Sequence, residues 1–201
     1  MSDTAAFEAH DLGGGLTFLI GTVPAHLVWD AARFDQAWAL HPEERPAIHL
    51  HGRRVQVPRW QQAYGADYHF SGQTSRALPV PDLLAPLLDW ARAAVHPDLN
   101  GLLLNWYDGP GHYIGEHHDS TRGMAAGAPI VTLSFGEART FRLTRGRSPG
   151  RAVRDFVAEN GAAFVLPRDT NEAWKHAVPK SARYTGRRIS VTVRGFTARG
   201  G

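Results

Sequence analysis

The chain has 201 residues, 43% of them hydrophobic and 20% charged, with a formal net charge of +3 at pH 7 and no cysteine. That length and balance fit one globular domain with a full core. The missing thiols exclude disulfides, cysteine-ligated zinc and thiol catalysis, so any metal must be held by His, Asp or Glu. Lys175 and Lys180 are the two lysines, so the positive charge is almost all arginine, which suits planar carboxylates and phosphates.

The first residues lack a basic stretch followed by a long apolar run, so no signal peptide is expected. No apolar run reaches membrane-spanning length. The expectation is a cytoplasmic monomer with no membrane partner. Residues 1–45 read as an accessory segment, with a short strand at 16–23 ("LTFLIGTV") and an amphipathic helix at 27–40 ("LVWDAARFDQAWAL"). Residues 47–60 ("AIHLHGRRVQVPRW") read as strand, turn at Gly52, strand. Residues 78–97 read as a helix that Pro81 or Pro86 opens, because proline is tolerated in a first turn. From Gly101 onward the pattern changes to short runs such as "LLLNWY", "APIVTLSF", "ARTFRLT", "RDFVAEN", "AAFVLP" and "RISVTVRGF". They are rich in β-branched and aromatic residues and are separated by turn formers, which predicts a sandwich or barrel. The fold class is therefore α+β, with helices ahead of a β-rich module.

The stretch "GEHHDSTR" at 115–122 carries the chemistry. On extended chain His117 and Asp119 point one way and His118 the other. His117 and Asp119 thus offer two legs of a chelate, and His176 in "EAWKHAVP" is the best third leg. Two histidines and a carboxylate on one face suit non-haem Fe(II), with zinc as the competing ion. Taken alone, a His-x-Asp pair is common in a chain with 11 histidines.

The last strand makes the pattern specific. In "RRISVTVRG", Ile189, Val191 and Val193 face one side, while Arg188, Ser190, Thr192 and Arg194 face the other. Two arginines with hydroxyls between them suit a dicarboxylate if that face is buried. 2-Oxoglutarate is such a dicarboxylate, and it also chelates iron.

Together "VPRWQQAYG", "YHFSGQT", "LLLNWYDG", "GEHHD", "PIVTLSFGEARTF", "WKHAVPK" and "RRISVTVR" resemble, in order and spacing, the AlkB family of Fe(II)/2-oxoglutarate dioxygenases. The likeness runs from about Ile48 to Phe196 and is greatest to the branch resembling the animal nucleic-acid demethylases. It implies a double-stranded β-helix (jelly roll) within a single dioxygenase domain over 1–201. Residues 1–45 would be accessory, 46–80 a substrate-recognition lid and 100–197 the catalytic core. It implies iron ligands His117, Asp119 and His176. Arg188, Tyr107 and Ser190 would hold the distal carboxylate of 2-oxoglutarate, and Arg194 and Asn105 the carboxylate beside the keto group. The family often has Asn where this chain has Ser190, which keeps a hydrogen-bonding group there.

In the expected lid, Tyr68 and Phe70 alternate onto one face and would stack on an extruded base, while Arg53, Arg54 and Arg59 would meet phosphates. The cofactors implied are Fe(II), 2-oxoglutarate and O₂, and the partner is nucleic acid bearing an alkylated base. The implied reaction is oxidative dealkylation of damaged DNA or RNA bases. The alternative is a 2-oxoglutarate oxygenase that hydroxylates a protein or small molecule. One departure bears on the substrate. The repair branch usually carries an acid two positions after the metal aspartate, and here that position is Thr121.

Overall fold

A computed structural model of the chain describes residues 6–50, 53–70 and 73–197. The larger sheet runs edge to edge through Glu8–Asp11 (β1), Thr17–Thr22 (β2), Ala162–Leu166 (β14), Ile130–Gly136 (β11), Arg187–Gly195 (β16), Leu99–Asp108 (β9), Trp60–Tyr64 (β5) and Ala77–Leu78 (β8). The smaller sheet holds Ile114–His117 (β10), Lys175–Val178 (β15), Arg139–Arg145 (β12) and Ala152–Ala158 (β13), in that order. Ala47–Leu50 (β3) pairs with Arg53–Gln56 (β4), and Tyr68–Phe70 (β6) with Gln73–Ser75 (β7), as separate hairpins. The helices are Ala31–Trp38 (α1), Ala85–Ala94 (α2) and Arg168–Ala173 (α3).

Local chemistry sets the helix starts. Asp30 caps α1 by accepting from the Arg33 amide at 2.8 Å, and Pro86 sits in the first turn of α2, where its missing N–H costs nothing. Both predicted helices are present. The short α3 was not expected, and neither was the extent of β-structure. The expected turn at Gly52 lies outside the described residues.

The larger sheet separates two interiors. On its helix side, Ile189, Val191 and Val193 of β16 join Leu102, Leu104 and Trp106 of β9 and Leu87, Leu88, Trp90 and Ala91 of α2 in one core. Gly136 ends β11 with φ +86°, and a Cβ there would lie 2.6 Å from the Phe34 ring of α1, so close docking of that helix requires glycine. Between the sheets the packing divides along the strands. One end is aromatic, with Phe18, Phe141 and Phe164 stacked at centroid distances of 5.0–5.6 Å. The other end is polar and holds the inner face of β16.

The segment expected to be accessory is part of this architecture. β2 pairs with β14 from Thr22↔Ala162 to Leu19↔Val165, and Phe18 is fully buried between the sheets. A short alternating strand gives no hint of its partner, and an edge of the catalytic sheet was open to receive it. The expected lid range 46–80 divides in the same way. β5 lies within the larger sheet beside β9, and only the two hairpins stand apart from it.

If β2 is integral, Phe18→Ala removes an aromatic ring from a closed three-ring stack. The expected loss is about 3–5 kcal/mol in urea unfolding. A loss below about 1 kcal/mol, the size of an ordinary surface change, would mean that β2 folds onto the sheet without supporting it.

Candidate metal and co-substrate site

β10 and β15 lie side by side, and His117 is the cross-strand partner of His176. Asp119 follows two residues after the end of β10. His117 Nε2 lies 3.6 Å from Asp119 Oδ1, and His176 Nε2 lies 3.8 Å from Asp119 Oδ2. The three ligand atoms all fall within 4.8 Å of one another. His117 Nδ1 is 2.9 Å from the Gly115 carbonyl, and a carbonyl can only accept. Nδ1 therefore carries a proton, which leaves Nε2 as the ring nitrogen turned towards the other two ligands. His118 points away, and its Nδ1–H donates to the Asn171 carbonyl at 2.5 Å. Strand alternation sorts the two adjacent histidines as expected.

The protonation states suit a cation. Burial pushes the His176 imidazole down to about 3, with the nearby His117 adding to the effect, so it is neutral with a free lone pair at pH 7. Burial works against the Asp119 carboxylate, but Arg194, His117 and His176 outweigh it and hold the group well below the usual carboxylate range. A charged carboxylate and neutral imidazoles are the forms that bind metal.

The inner face of β16 forms one wall. Arg188, Ser190, Thr192 and Arg194 are all buried, and Arg188 and Ser190 pair across to Tyr107 and Asn105 of β9. Arg188 is 0% exposed, and its Nε–H donates to Ser134 Oγ at 2.9 Å. Its Nη1 and Nη2 have no hydrogen-bond partner. The cavity in front of this wall has a volume of about 1110 Å³, and the triad, Asn105, Tyr107, Ser190 and Arg194 all line it.

Residues 30–194 match the family model described as the 2OG-Fe(II) oxygenase superfamily. The chain belongs to this superfamily. It is 32% identical over 156 residues to DNA oxidative demethylase ALKBH2 of Homo sapiens, covering 73% of this chain and 60% of that protein. The Arabidopsis thaliana protein of the same name is 28% identical, covering 96% of this chain and 70% of the relative. Alpha-ketoglutarate-dependent dioxygenase alkB homolog 3 of Rattus norvegicus is 28% identical over 103 residues, covering 47% and 35%. The chain thus spans less than two thirds of the length of its mammalian relatives. The solved structure of OsALKBH1 superposes with a TM-score of 0.59 at 14% identity, covering 94% of this chain and all of that one, which shows a shared fold. The jelly-roll expectation agrees with it.

Fe(II), 2-oxoglutarate and O₂ are the cofactors of this superfamily, and the residues present fit them. The His-Asp-His cluster is a candidate iron site. The two unpartnered Arg188 nitrogens form a buried fork of the shape a carboxylate fills. Ser134 was not singled out from sequence, although Thr132 and Ser134 alternate with Val131, Leu133 and Phe135 in a readable polar stripe. Asn171 and Gln61 also line the cavity, and no local pattern marks them.

Two expected substrate residues are placed differently. Tyr68 is fully buried, and its hydroxyl lies 3.0 and 2.9 Å from the carbonyls of Gly101 and Thr192. Burial pushes its phenol up to about 12, and the Arg194 guanidinium sits 4.0 Å over its ring. It is a core aromatic that shields a buried cation, so it offers no face to a base. Arg59 does not project towards a backbone phosphate. Its Nε–H donates to Asn105 Oδ1 at 2.8 Å inside the cavity. Thr121 lines the cavity wall. Phe70 belongs to β6, and its side chain lies outside the described residues.

Titration of the whole chain with Mn²⁺ or Co²⁺ checks the triad. His117→Ala and Asp119→Ala should each weaken binding by more than about 100-fold, beyond what loss of a contact to a ligand costs. His118→Ala should stay within about tenfold. Equal losses in all three would mean that His118 is a ligand and the alternation argument fails.

Lysine in place of Arg188 or Arg194 keeps the charge and loses the planar fork. A charge-assisted bond is worth about 1.5–3 kcal/mol, so 2-oxoglutarate affinity should fall about 10–100-fold in either variant. If Arg194→Lys binds 2-oxoglutarate as the wild type does, that arginine serves the fold alone.

Proposed function

We propose that the chain is an Fe(II)/2-oxoglutarate-dependent dioxygenase that oxidatively dealkylates damaged bases in DNA or RNA. The observation that carries this reading is the half-satisfied, fully buried guanidinium of Arg188, on the same face of β16 as Ser190, Thr192 and Arg194, which line the cavity that holds the His-Asp-His cluster. The relatives named DNA oxidative demethylase support the choice of substrate.

In this reading His117, Asp119 and His176 hold the iron, and Arg188 with Tyr107 and Ser190 receives the distal carboxylate. Arg194 and Asn105 serve the carboxylate beside the keto group. The bound group supplies the oxidising power to hydroxylate a carbon attached to a base nitrogen, and the chain supplies position and a dry environment. Ile48, Val55 and Val57 line the cavity from the side of the β3–β4 hairpin and would cover an inserted base. Arg53 and Arg54 are exposed on that hairpin, where phosphates of a bound strand could reach them. The base must leave its stack, at a cost of a few kcal/mol in a duplex, so unpaired or damaged bases are the cheaper targets.

A panel of alkylated DNA and RNA oligonucleotides with iron, 2-oxoglutarate and ascorbate, read by mass spectrometry, tests the reading. Loss of the alkyl group with matching succinate release supports it. Succinate release on protein or small-molecule candidates, with every oligonucleotide untouched, would replace it with the alternative oxygenase.

Thr121 sets the lesion class in this reading. Thr121→Asp and Thr121→Glu place a carboxylate in the cavity wall. A carboxylate near a desolvated cation is worth a few kcal/mol, partly offset by desolvation of both charges. A net gain of about 1 kcal/mol should raise kcat/KM for 1-methyladenine and 3-methylcytosine about five-fold relative to neutral etheno adducts. The comparison uses matched oligonucleotides at one salt concentration, since phosphate contacts respond to salt whatever the lesion. A wild type that already prefers cationic lesions strongly, with no gain in the acidic variants, would show that Thr121 does not face the base.

A further inference from the structure

Asp119 lies beyond the end of β10, in a segment, 118–120, that belongs to no helix or strand. A ligand on such a segment needs something to fix it, and Asn171 of α3 does so from three directions. The Asp119 amide N–H donates to Asn171 Oδ1 at 3.0 Å. Asn171 Nδ2–H donates to the Asp119 carbonyl at 3.0 Å. The Asn171 carbonyl accepts from His118 Nδ1–H at 2.5 Å. Asn171 is 1% exposed, so no water competes for its amide.

A side-chain amide paired to both the N–H and the C=O of one residue acts as a short piece of β-ladder. It fixes the orientation of that residue, because rotating either peptide breaks a bond. The partner is also well placed. α3 runs through Trp174 directly into β15, which carries His176, and Thr170 Oγ–H donates to the Thr17 carbonyl at 2.9 Å to anchor the same helix on β2. One short segment therefore carries His176 and grips the residue that bears the third ligand.

We propose that Asn171 is a positioning residue for metal binding, setting the Asp119 carboxylate against the two imidazoles. Its side-chain amide is committed to the Asp119 backbone, so it acts through Asp119 and is not itself a ligand. His118 takes its role from the same arrangement, as the brace that holds the Asn171 backbone. The inference rests on the His-Asp-His cluster being a metal site.

The test is calorimetric titration of the whole chain with Mn²⁺ or Co²⁺, alongside thermal melts without metal. Asn171→Ala should weaken metal binding 10–100-fold. Asn171→Ser keeps a small neutral hydroxyl that can restore at most one of the two bonds to Asp119, so its loss should be smaller than that of the alanine variant. It also carries the test if the alanine variant does not fold. Thr170→Val removes the other buried polar anchor of α3 without touching Asp119 and should bind metal within about twofold of wild type. Wild-type affinity in the Asn171 variants, or an equal loss in Thr170→Val, would overturn the proposal while leaving the metal site standing. A wild-type chain that binds neither ion would overturn both.

Discussion

Burying two guanidinium groups on one strand is the constraint around which the rest of this structure is arranged. Arg188 and Arg194 are 0% and 2% exposed, and an uncompensated buried charge costs several kcal/mol. The elements packed around β16 each answer part of that cost. Asp119 sets its charge against Arg194, the Ser120 carbonyl accepts from Arg194 Nη1 at 2.8 Å, and the Tyr68 ring covers the guanidinium face. Ser134 accepts from Arg188 Nε, and the Tyr107 ring lies 5.1 Å from that guanidinium. These contacts explain why β9 and β11 carry polar side chains where a sandwich core would be apolar.

A third buried arginine shows what full satisfaction looks like. Arg139 donates to Glu137 and to the carbonyls of His112, Gly109 and Gly186, and it lies over the rings of Tyr107 and Tyr184. Glu137 Oε1 in turn accepts from the amides of Thr185 and Gly186. This network closes the turn just before β16 and so fixes where Arg188 begins. The contrast separates the roles: all three nitrogens of Arg139 are bonded, to Glu137 and to backbone carbonyls, and Arg188 keeps two nitrogens unbonded.

Periodicity made the sheet strands, the polar face of β16 and the sorting of His117 from His118 legible in the sequence. The cofactor assignments came from the resemblance of whole motifs, in their order and spacing, to the AlkB family. What stayed hidden shares one cause, since alternation fixes parity and leaves the partner unknown. Tyr68 has the parity of a base-stacking residue and of a core residue alike, and only the burial of Arg194 beneath it decides. Arg59 precedes a strand on the rim, and its long side chain turned inward to Asn105. Asn171 acquires its meaning from a residue 52 positions away, on a six-residue helix too short to show a period. β1 and β2 look accessory until β14 is seen to offer them an edge.

The charges already present around the cavity bear on what it accepts. Arg59, Arg122, Arg168 and Arg194 line it, against Asp119, Glu116 and Glu172. Glu116 is paired with Arg151 and Glu172 with Arg168, while Asp119 faces the histidines. The acids at the rim are therefore engaged before any substrate arrives. A cationic base entering such a cavity would have to draw a carboxylate from its arginine or sit near a guanidinium without an answering charge. A neutral base meets neither cost, and Thr121 offers it a hydroxyl in the wall. In water the difference would be slight, but charges interact more strongly in a cavity that excludes water. In the proposed reading, the arginines that would hold a dicarboxylate thus stand in a cavity whose rim carboxylates are already paired, which would favour an uncharged base over a cationic one.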